Sequence, residues 1–485
     1  MSRDARESRA WDGGYGRFPG LLAAAAMAVY LLLLVGATTA LTDAASACAA
    51  WPACGDGLAL PSTADGYVAL GHRVAAVLVG LLVAGVLLSA WRGDEPRRVR
   101  AATTLSALLY PLQAGLGALV ATTAGGALRA AHLVVGMVIF GGLVAALAWT
   151  LETRTGSKDA PTPTTDTVEP AASDEPTLDE PEPGRDRPSL PDSPLARAKT
   201  VAYAYFRLTK PRLMWLLCLV ASAGMALAGS VQPGLTPGVM LATLGGGVLS
   251  IGSAGTLNHV LERDIDRKMQ RTSDRPLATD IVPVRNALAF AAVLAVVSVA
   301  LFASVNLLAA VLGLGAIAFY SVVYTLLLKP NTVQNTVIGG AAGALPALIG
   351  WVAVTGSIGW GGLALATVIF LWTPAHFYNL ALAYKDDYER GGFPMMPVVR
   401  GETVTRKHIV WYLGATLVAA GALGTMTALG SVYVLTSVLF GGVFLWMVVR
   451  LHYERSEGAA FRAFHASNAY LGALLLAIVV DTLVV

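Results

Sequence analysis

The sequence predicts an all-α polytopic membrane protein of about 13 transmembrane helices, a four-helix module followed by a nine-helix bundle. Three observations predict it. Of 485 residues, 55% are hydrophobic and only 13% charged, with a mean hydropathy of +0.62, whereas soluble domains carry about 25% charged residues. Apolar runs recur at roughly the 20-residue length that crosses a bilayer core as a helix. Basic residues cluster at alternate ends of those runs, as the positive-inside rule requires. Three cysteines exclude a disulfide framework or a four-cysteine zinc site. A net charge of +3 is no nucleic-acid signature.

The first four runs cover about 19–42, 68–91, 101–121 and 129–151. The first lacks a small-residue cleavage site and reads as a retained helix. Arg3, Arg6, Arg9 and Arg17 precede it, and Arg92, Arg97, Arg98 and Arg100 lie between the second and third. Both places are therefore expected in the cytoplasm, and the loop 43–67 outside. His72 and His132 begin the second and fourth runs, at similar depth below the outer face. Facing imidazoles in a four-helix bundle can hold a heme axially; the same pair also reads as two interfacial polar residues. Cys48 and Cys54 flank Trp51-Pro52 in the outer loop, where an oxidising exterior permits a disulfide. A pair of free small side chains is the alternative.

Residues 152–198 break the pattern. The segment 152–197 holds nine prolines and eleven acidic residues against five basic ones. Such a stretch buries too little apolar surface to offset its ordering entropy. It is expected to be a disordered cytoplasmic tether, dividing the chain into 1–151, 152–198 and 199–485.

Nine further runs follow at about 213–231, 236–257, 286–304, 307–327, 337–356, 361–382, 409–429, 431–450 and 468–485. Alternation places the loops 258–285, 328–336, 384–408 and 451–467 inside and the C-terminus outside. Those inner loops carry most of the remaining Lys and Arg.

The most informative stretch runs from Asn258 to Pro276. Asn258, Glu262 and Asp266 are spaced i, i+4, i+8, so on a continuing helix they share one face, about 6 Å apart. Mg²⁺ prefers carboxylate oxygens together with substrate phosphate oxygens. Such a column can hold Mg²⁺ against a diphosphate, with Asp264 in the same stretch and Arg267, Lys268, Arg271 and Arg275 available for the phosphate charge. A solvated, topology-setting charged loop is the alternative. A second cluster, Lys385, Asp386 and Asp387, follows the run 361–382 at the same interface. Together the clusters suit a binuclear site with Asn258, Glu262, Asp266, Asp386 and Asp387 as ligands. His376 lies about three turns inside Asp387 and is a packing residue or a substrate contact. Phe319, Tyr320, Tyr324, Phe377 and Tyr378 either line an apolar cavity that screens a carbocation or are plain core.

These residues resemble a known family. Asn258 to Asp266 with Arg271-Thr272 and Arg275-Pro276-Leu277 is similar to the first acidic motif of the UbiA-type intramembrane prenyltransferases, more narrowly of the protoheme IX farnesyltransferase (heme O synthase) subfamily. Thr209-Lys210-Pro211-Arg212, Gln334-Asn335, Trp372-Thr373-Pro374 with His376-Phe377, and Lys385-Asp386-Asp387-Tyr388 fit the same subfamily. The resemblance covers about 200–485. Glu262 stands where the family usually has Asp, and Pro330-Asn331 where a basic pair is expected after Lys329. The resemblance implies a nine-helix fold, Mg²⁺, farnesyl diphosphate and heme B as substrates, and heme O as product. It also implies Asn258, Glu262, Asp266 and Asp387 as catalytic residues, with Lys210, Arg212, Lys329 and His376 among the substrate contacts. Residues 19–151, with His72, His132, Cys48, Cys54 and Gln113-Ala-Gly-Leu-Gly117, resemble the N-terminal half of heme A synthase. That implies a bound heme in the first module and a partnership with heme A synthase or a second copy of the chain. The expected setting is the cell membrane. Prenylation of a quinone precursor or lipid, or a heme-carrier role, are the competing readings.

Overall fold

The computed structural model describes residues 17–41, 48, 50–52, 54, 60–123, 126–156, 191–427 and 429–484. Among these residues there is no strand, and 13 helices are long and apolar enough to cross a membrane. Four belong to the first module: α1 (Arg17–Leu41), α2 (Ala64–Arg92), α3 (Arg97–Thr122) and α4 (Gly126–Thr155). Thr63 caps α2, its hydroxyl accepting from Gly66 N at 3.1 Å, a use of a free helix-end donor. Cys48 and Cys54 are joined, with Cα atoms 4.3 Å apart.

The second module starts earlier than the composition suggests. The tether boundaries at 152 and 198 both fall inside helices, because α4 runs to Thr155 and α5 spans Pro194–Leu208. Most of the tether, 157–190, lies outside the described residues, as do Arg3, Arg6 and Arg9. Proline at the first position suits α5, since its missing N–H would be unpaired there anyway. Ala204 and Leu208 of α5 are buried against Leu277, Val282 and Ala287. An extended polar composition hid a short helix that needs only these few apolar contacts.

Nine spans follow: α6 (Pro211–Val231), α7 (Pro237–Leu261), α9 (Val284–Val305), α10 (Leu307–Ala318) continued by a π-helix (Phe319–Leu328), α11 (Asn335–Thr355), α12 (Trp360–Ala383), α15 (Glu402–Met426), α16 (Ser431–Glu454) and α17 (Glu457–Val484). Short helices α8 (Arg263–Asp266), α13 (Lys385–Arg390) and α14 (Met396–Val399) lie in the loops of one end. The spans close a ring, with α6 packed on both α17 and α11. Glycine permits the closest approaches: a Cβ on Gly350 of α11 would lie 2.1 Å from Ala221 O of α6.

The two modules are not merely tethered. Helices α1 and α4 pack on α15 and α16, and one continuous buried cluster runs from Leu22 and Leu147 to Leu413 and Phe444. The buried hydroxyls of Tyr30 and Ser437 hydrogen-bond at 2.7 Å. A Cβ on Gly414 would lie 2.6 Å from Val144 Cγ1. Lys407 pairs with Glu152 at 2.5 Å, and Arg455 donates to Thr155 O. The modules are therefore joined by interface packing as well as by the linker.

Candidate active site

The site sits where α7 ends. The helix does not continue smoothly through the acidic column: Glu262 is the cap between α7 and α8, with φ −96° and ψ 4°. The backbone nevertheless keeps its pitch, Glu262 N bonding to Asn258 O at 2.9 Å and Asp266 N to Glu262 O at 2.7 Å. Asn258, Glu262 and Asp266 therefore remain neighbours, and all three are buried.

Each meets a cation from elsewhere in the fold. Lys329 Nζ lies 2.5 Å from Glu262 Oε1, and Arg275 Nη1 lies 2.8 Å from Asp266 and 3.9 Å from Glu262. Lys210 Nζ donates to Asn258 Oδ1 and, at 3.1 Å, to Tyr320 OH. Lys210 occupies the left-handed region (φ 54°) before Pro211. A residue other than glycine there is uncommon, and such strain concentrates at functional sites. Gly255 makes room for it, since a Cβ would lie 3.3 Å from Lys210 Cγ.

The π-helix completes this wall. Its i to i+5 backbone pattern bonds Lys329 N to Tyr324 O at 2.8 Å, and the Thr325 hydroxyl donates to Tyr320 O at 2.9 Å. Thr325 Oγ1 also accepts from Asn258 Nδ2 at 3.1 Å. The wider turn brings Tyr320, Thr325 and Lys329 to the polar cluster together. π-Helical turns recur at functional sites, and no spacing rule applied to this apolar run reveals one.

The charges bias one another. Burial pushes the Glu262 carboxyl up, but Lys329, Lys210 and Arg275 outweigh it and hold the group below its ordinary range. At Asp266 burial wins over Arg275, and the carboxyl is raised. Burial, reinforced by Arg275 and opposed by Glu262 and Asp266, lowers the Lys210 ammonium to about 8.

Asp387 does not face this column as a free ligand. Its carboxylate accepts from Gln270 N at 2.7 Å, Arg271 N at 3.3 Å and Arg390 Nη2 at 2.8 Å. It pins α13 to the loop after α8. Burial opposes its ionisation, but Arg390 and the two amides hold it below the ordinary carboxylate range. Arg271 lies over the rings of Tyr384 and Tyr388, at 5.3 and 5.7 Å.

Other expected contacts are placed elsewhere. Asp264 is exposed and pairs with Arg263 and Arg267, and Arg267 also pairs with Asp280; the two carry a surface network beside the site. Arg212, Lys268 and Asp386 are exposed. His376 is stacked between Trp372 and Phe464, with centroids 4.2 and 4.4 Å away, and its Nδ1 bonds Ser467 Oγ at 2.7 Å. It ties α12 to α17. Tyr378 is fully buried beside Tyr412, whereas Tyr320 lines an apolar slot of about 90 Å³ that runs from Lys210 to Phe302. Among the described residues, no three His, Cys, Asp or Glu side chains form a preassembled metal cluster; two carboxylates, an amide and three cations are what α7, α8 and their neighbours supply.

In the first module, a Cβ on Gly36 would lie 3.2 Å from His72 Cε1, and one on Gly117 3.1 Å from His132 Cε1. The missing side chains let the His72 ring pack close against α1 and the His132 ring against α3. His132 Nδ1 contacts Gln113 O at 3.1 Å and its Nε2 contacts Gln113 Nε2 at 3.3 Å. His72 Nδ1 is buried with no hydrogen-bond partner among the described residues.

Residues 216–472 match the model of the UbiA prenyltransferase family. The chain is 64% identical over 470 residues to a protoheme IX farnesyltransferase of Haloquadratum walsbyi, covering 97% of each chain. A protoheme IX farnesyltransferase of Saccharopolyspora erythraea is 47% identical over 296 residues, which are 94% of that protein but 60% of this one. A solved structure concerned with digeranylgeranylglyceryl phosphate synthase shares the fold, with a TM-score of 0.50 and 14% identity, over 59% of this chain and 100% of that one. The chain belongs to the UbiA prenyltransferase family, in its protoheme IX farnesyltransferase branch.

Proposed function

We infer that the chain transfers the farnesyl group of farnesyl diphosphate to a vinyl group of heme B with addition of water, giving heme O and diphosphate. The relatives' shared name over nearly the full chain carries the choice of substrates. The cluster around Glu262 and Asp266 supplies the chemistry. Lys210, Arg275 and Lys329 converge there and stabilise the charge that grows on the departing diphosphate. As the C1–O bond breaks, its electron pair leaves with the diphosphate and C1 becomes an allylic cation. The vinyl π-electrons form the new C–C bond, water adds to the resulting cation, and one proton is released.

The residues fit Mg²⁺ as a co-ligand of the diphosphate. Glu262 and Asp266 present hard oxygen donors on adjacent turns, beside cations able to transfer to phosphate oxygens. Bound there, Mg²⁺ would neutralise leaving-group charge. Asn258 holds Lys210 in place, and Asp387 holds the loop that carries Arg271. The face bearing these loops is assigned to the cytoplasm of the cell membrane, where both substrates' anionic groups are hydrated. The test is purified protein with heme B, farnesyl diphosphate and either Mg²⁺ or a chelator. Mass spectrometry should find heme gaining one farnesyl group and one water, only with metal. Unchanged heme B in both reactions would refute the assignment.

A second reading applies to the first module: a heme held by His72 and His132. His72 Nδ1, buried with no partner among the described residues, favours it. A heme held through His132 Nε2 would displace the Gln113 amide. Loss of one low-spin heme spectrum in both His72→Ala and His132→Ala supports this; a heme-free, folded wild-type protein refutes it.

A further inference from the structure

Beside the catalytic loop, and distinct from the apolar slot, lies a polar cavity of about 630 Å³. That volume is in the range of small-molecule sites. One wall is Gln270, Arg271 and Asp387, the segment that Asp387 pins against α13. The opposite wall is the start of α15 and the α16–α17 turn, with Glu402, Arg406, Arg455 and Glu457. Lys385 and Arg390 complete five basic groups against four acidic ones.

Two of those acids are already committed. Asp387 is held by Arg390 and two backbone amides. Glu402 bridges Lys385 at 3.3 Å and Arg406 at 3.2 Å. This pairing shows how the cavity holds a carboxylate: between a half-buried lysine and an arginine only 2% exposed. Arg455 makes no ion pair among the described residues. Its side chain donates to Thr155 O and, at 3.4 Å, to His452 O, and its backbone is left-handed at φ 48°. Thr155 ends α4, so the first module fixes a cation of the second module's cavity.

The acceptor named above carries two carboxylates on one edge of an otherwise apolar ring, with its vinyl groups toward the other. We propose that this cavity binds the acceptor's carboxylates, with Arg406, Lys385 and Arg455 as their cationic partners. Leu382, Ala383, Leu451 and Ala460 give the apolar flank along which the ring lies. The shared wall at Arg271 and Asp387 sets the vinyl edge toward the diphosphate site. The inference rests on heme B being the acceptor.

The test compares heme B with its dimethyl ester, which keeps the ring and vinyl groups and removes both negative charges. Wild-type enzyme should use the ester with a KM raised about tenfold, the loss of a charge-assisted contact. Arg455→Gln should raise KM for heme B by a similar factor, leave KM for farnesyl diphosphate unchanged, and narrow the discrimination between acid and ester. Glu402→Gln should act oppositely, because it removes the carboxylate that Lys385 and Arg406 now hold: KM for heme B should fall about threefold. Equal use of acid and ester by the wild type would overturn the proposal, as would discrimination undiminished in Arg455→Gln. If no farnesylated heme forms at all, the functional assignment fails. Absorbance titration of the same proteins with heme B and the ester then still decides the cavity, equal affinities refuting it.

Discussion

The two modules bury polar groups in opposite ways. The first packs two imidazoles against the backbone at Gly36 and Gly117, and His72 Nδ1 is buried with no hydrogen-bond partner among the described residues. The second packs Glu262 and Asp266 directly against Lys329 and Arg275. A buried ion pair returns little net stability after desolvation, so stability alone does not account for several at one helix end. On the proposed function, an incoming diphosphate would take the cations and a metal the carboxylates. A half-buried histidine pair without a carboxylate partner among the described residues presents neutral donors instead, as the proposed heme would require.

The sharpest way to break this contrast is to remove the exchangeable charge. Asp266→Ala should lower heme O formation by about a thousandfold or more, as losing transition-state charge stabilisation does, while the heme binding proposed for His72 and His132 should be unaffected. Heme O quantified by mass spectrometry beside a heme spectrum of the same preparation checks both halves.

Lys210→Ala should cost about a hundredfold. The Lys210 ammonium, lowered by burial to about 8, must be charged to hold diphosphate, so farnesyl transfer should fall as pH rises through about 8. Lys210→Arg should retain activity above that pH. A rate flat to pH 10 in the wild type would remove Lys210 from the diphosphate contacts.

Interface variants sharpen the comparison from the other side. Gly414→Leu places side-chain atoms on Val144 and should destabilise the folded protein by about 1–3 kcal/mol, read as a lower thermal midpoint in detergent. Removing the Tyr30 hydroxyl with Tyr30→Phe breaks one buried interhelical bond; about 0.6 kcal/mol is expected, with transfer unchanged. A midpoint unaffected by Gly414→Leu would mean the modules do not share a core.

Much of this was legible in the sequence because a membrane leaves few options: length and charge bias fix the spans, and nine helices in the second half follow from counting. The acidic column was legible because i, i+4 spacing survives even the break at Glu262. What the sequence hid depends on partners distant along the chain. No local pattern says that Asp387 will accept from Gln270 and Arg271, or that His376 will be stacked between Trp372 and Phe464. The π-helix was invisible because Phe319–Leu328 is uniformly apolar and reads as a continuation of α10. The docking of α1 and α4 on α15 and α16 was hidden by the polar tether, whose composition speaks only for itself.

The central claim is that Glu262 and Asp266 exchange their cations for metal and diphosphate. Calorimetric titration of the purified full chain with farnesyl diphosphate, in the presence and absence of Mg²⁺, tests it most directly. Binding should strengthen at least tenfold with Mg²⁺ in the wild type, and Asp266→Ala should abolish the metal's effect while keeping weak, salt-sensitive binding. Metal-independent affinity in the wild type, or an undiminished metal effect in Asp266→Ala, would contradict the account.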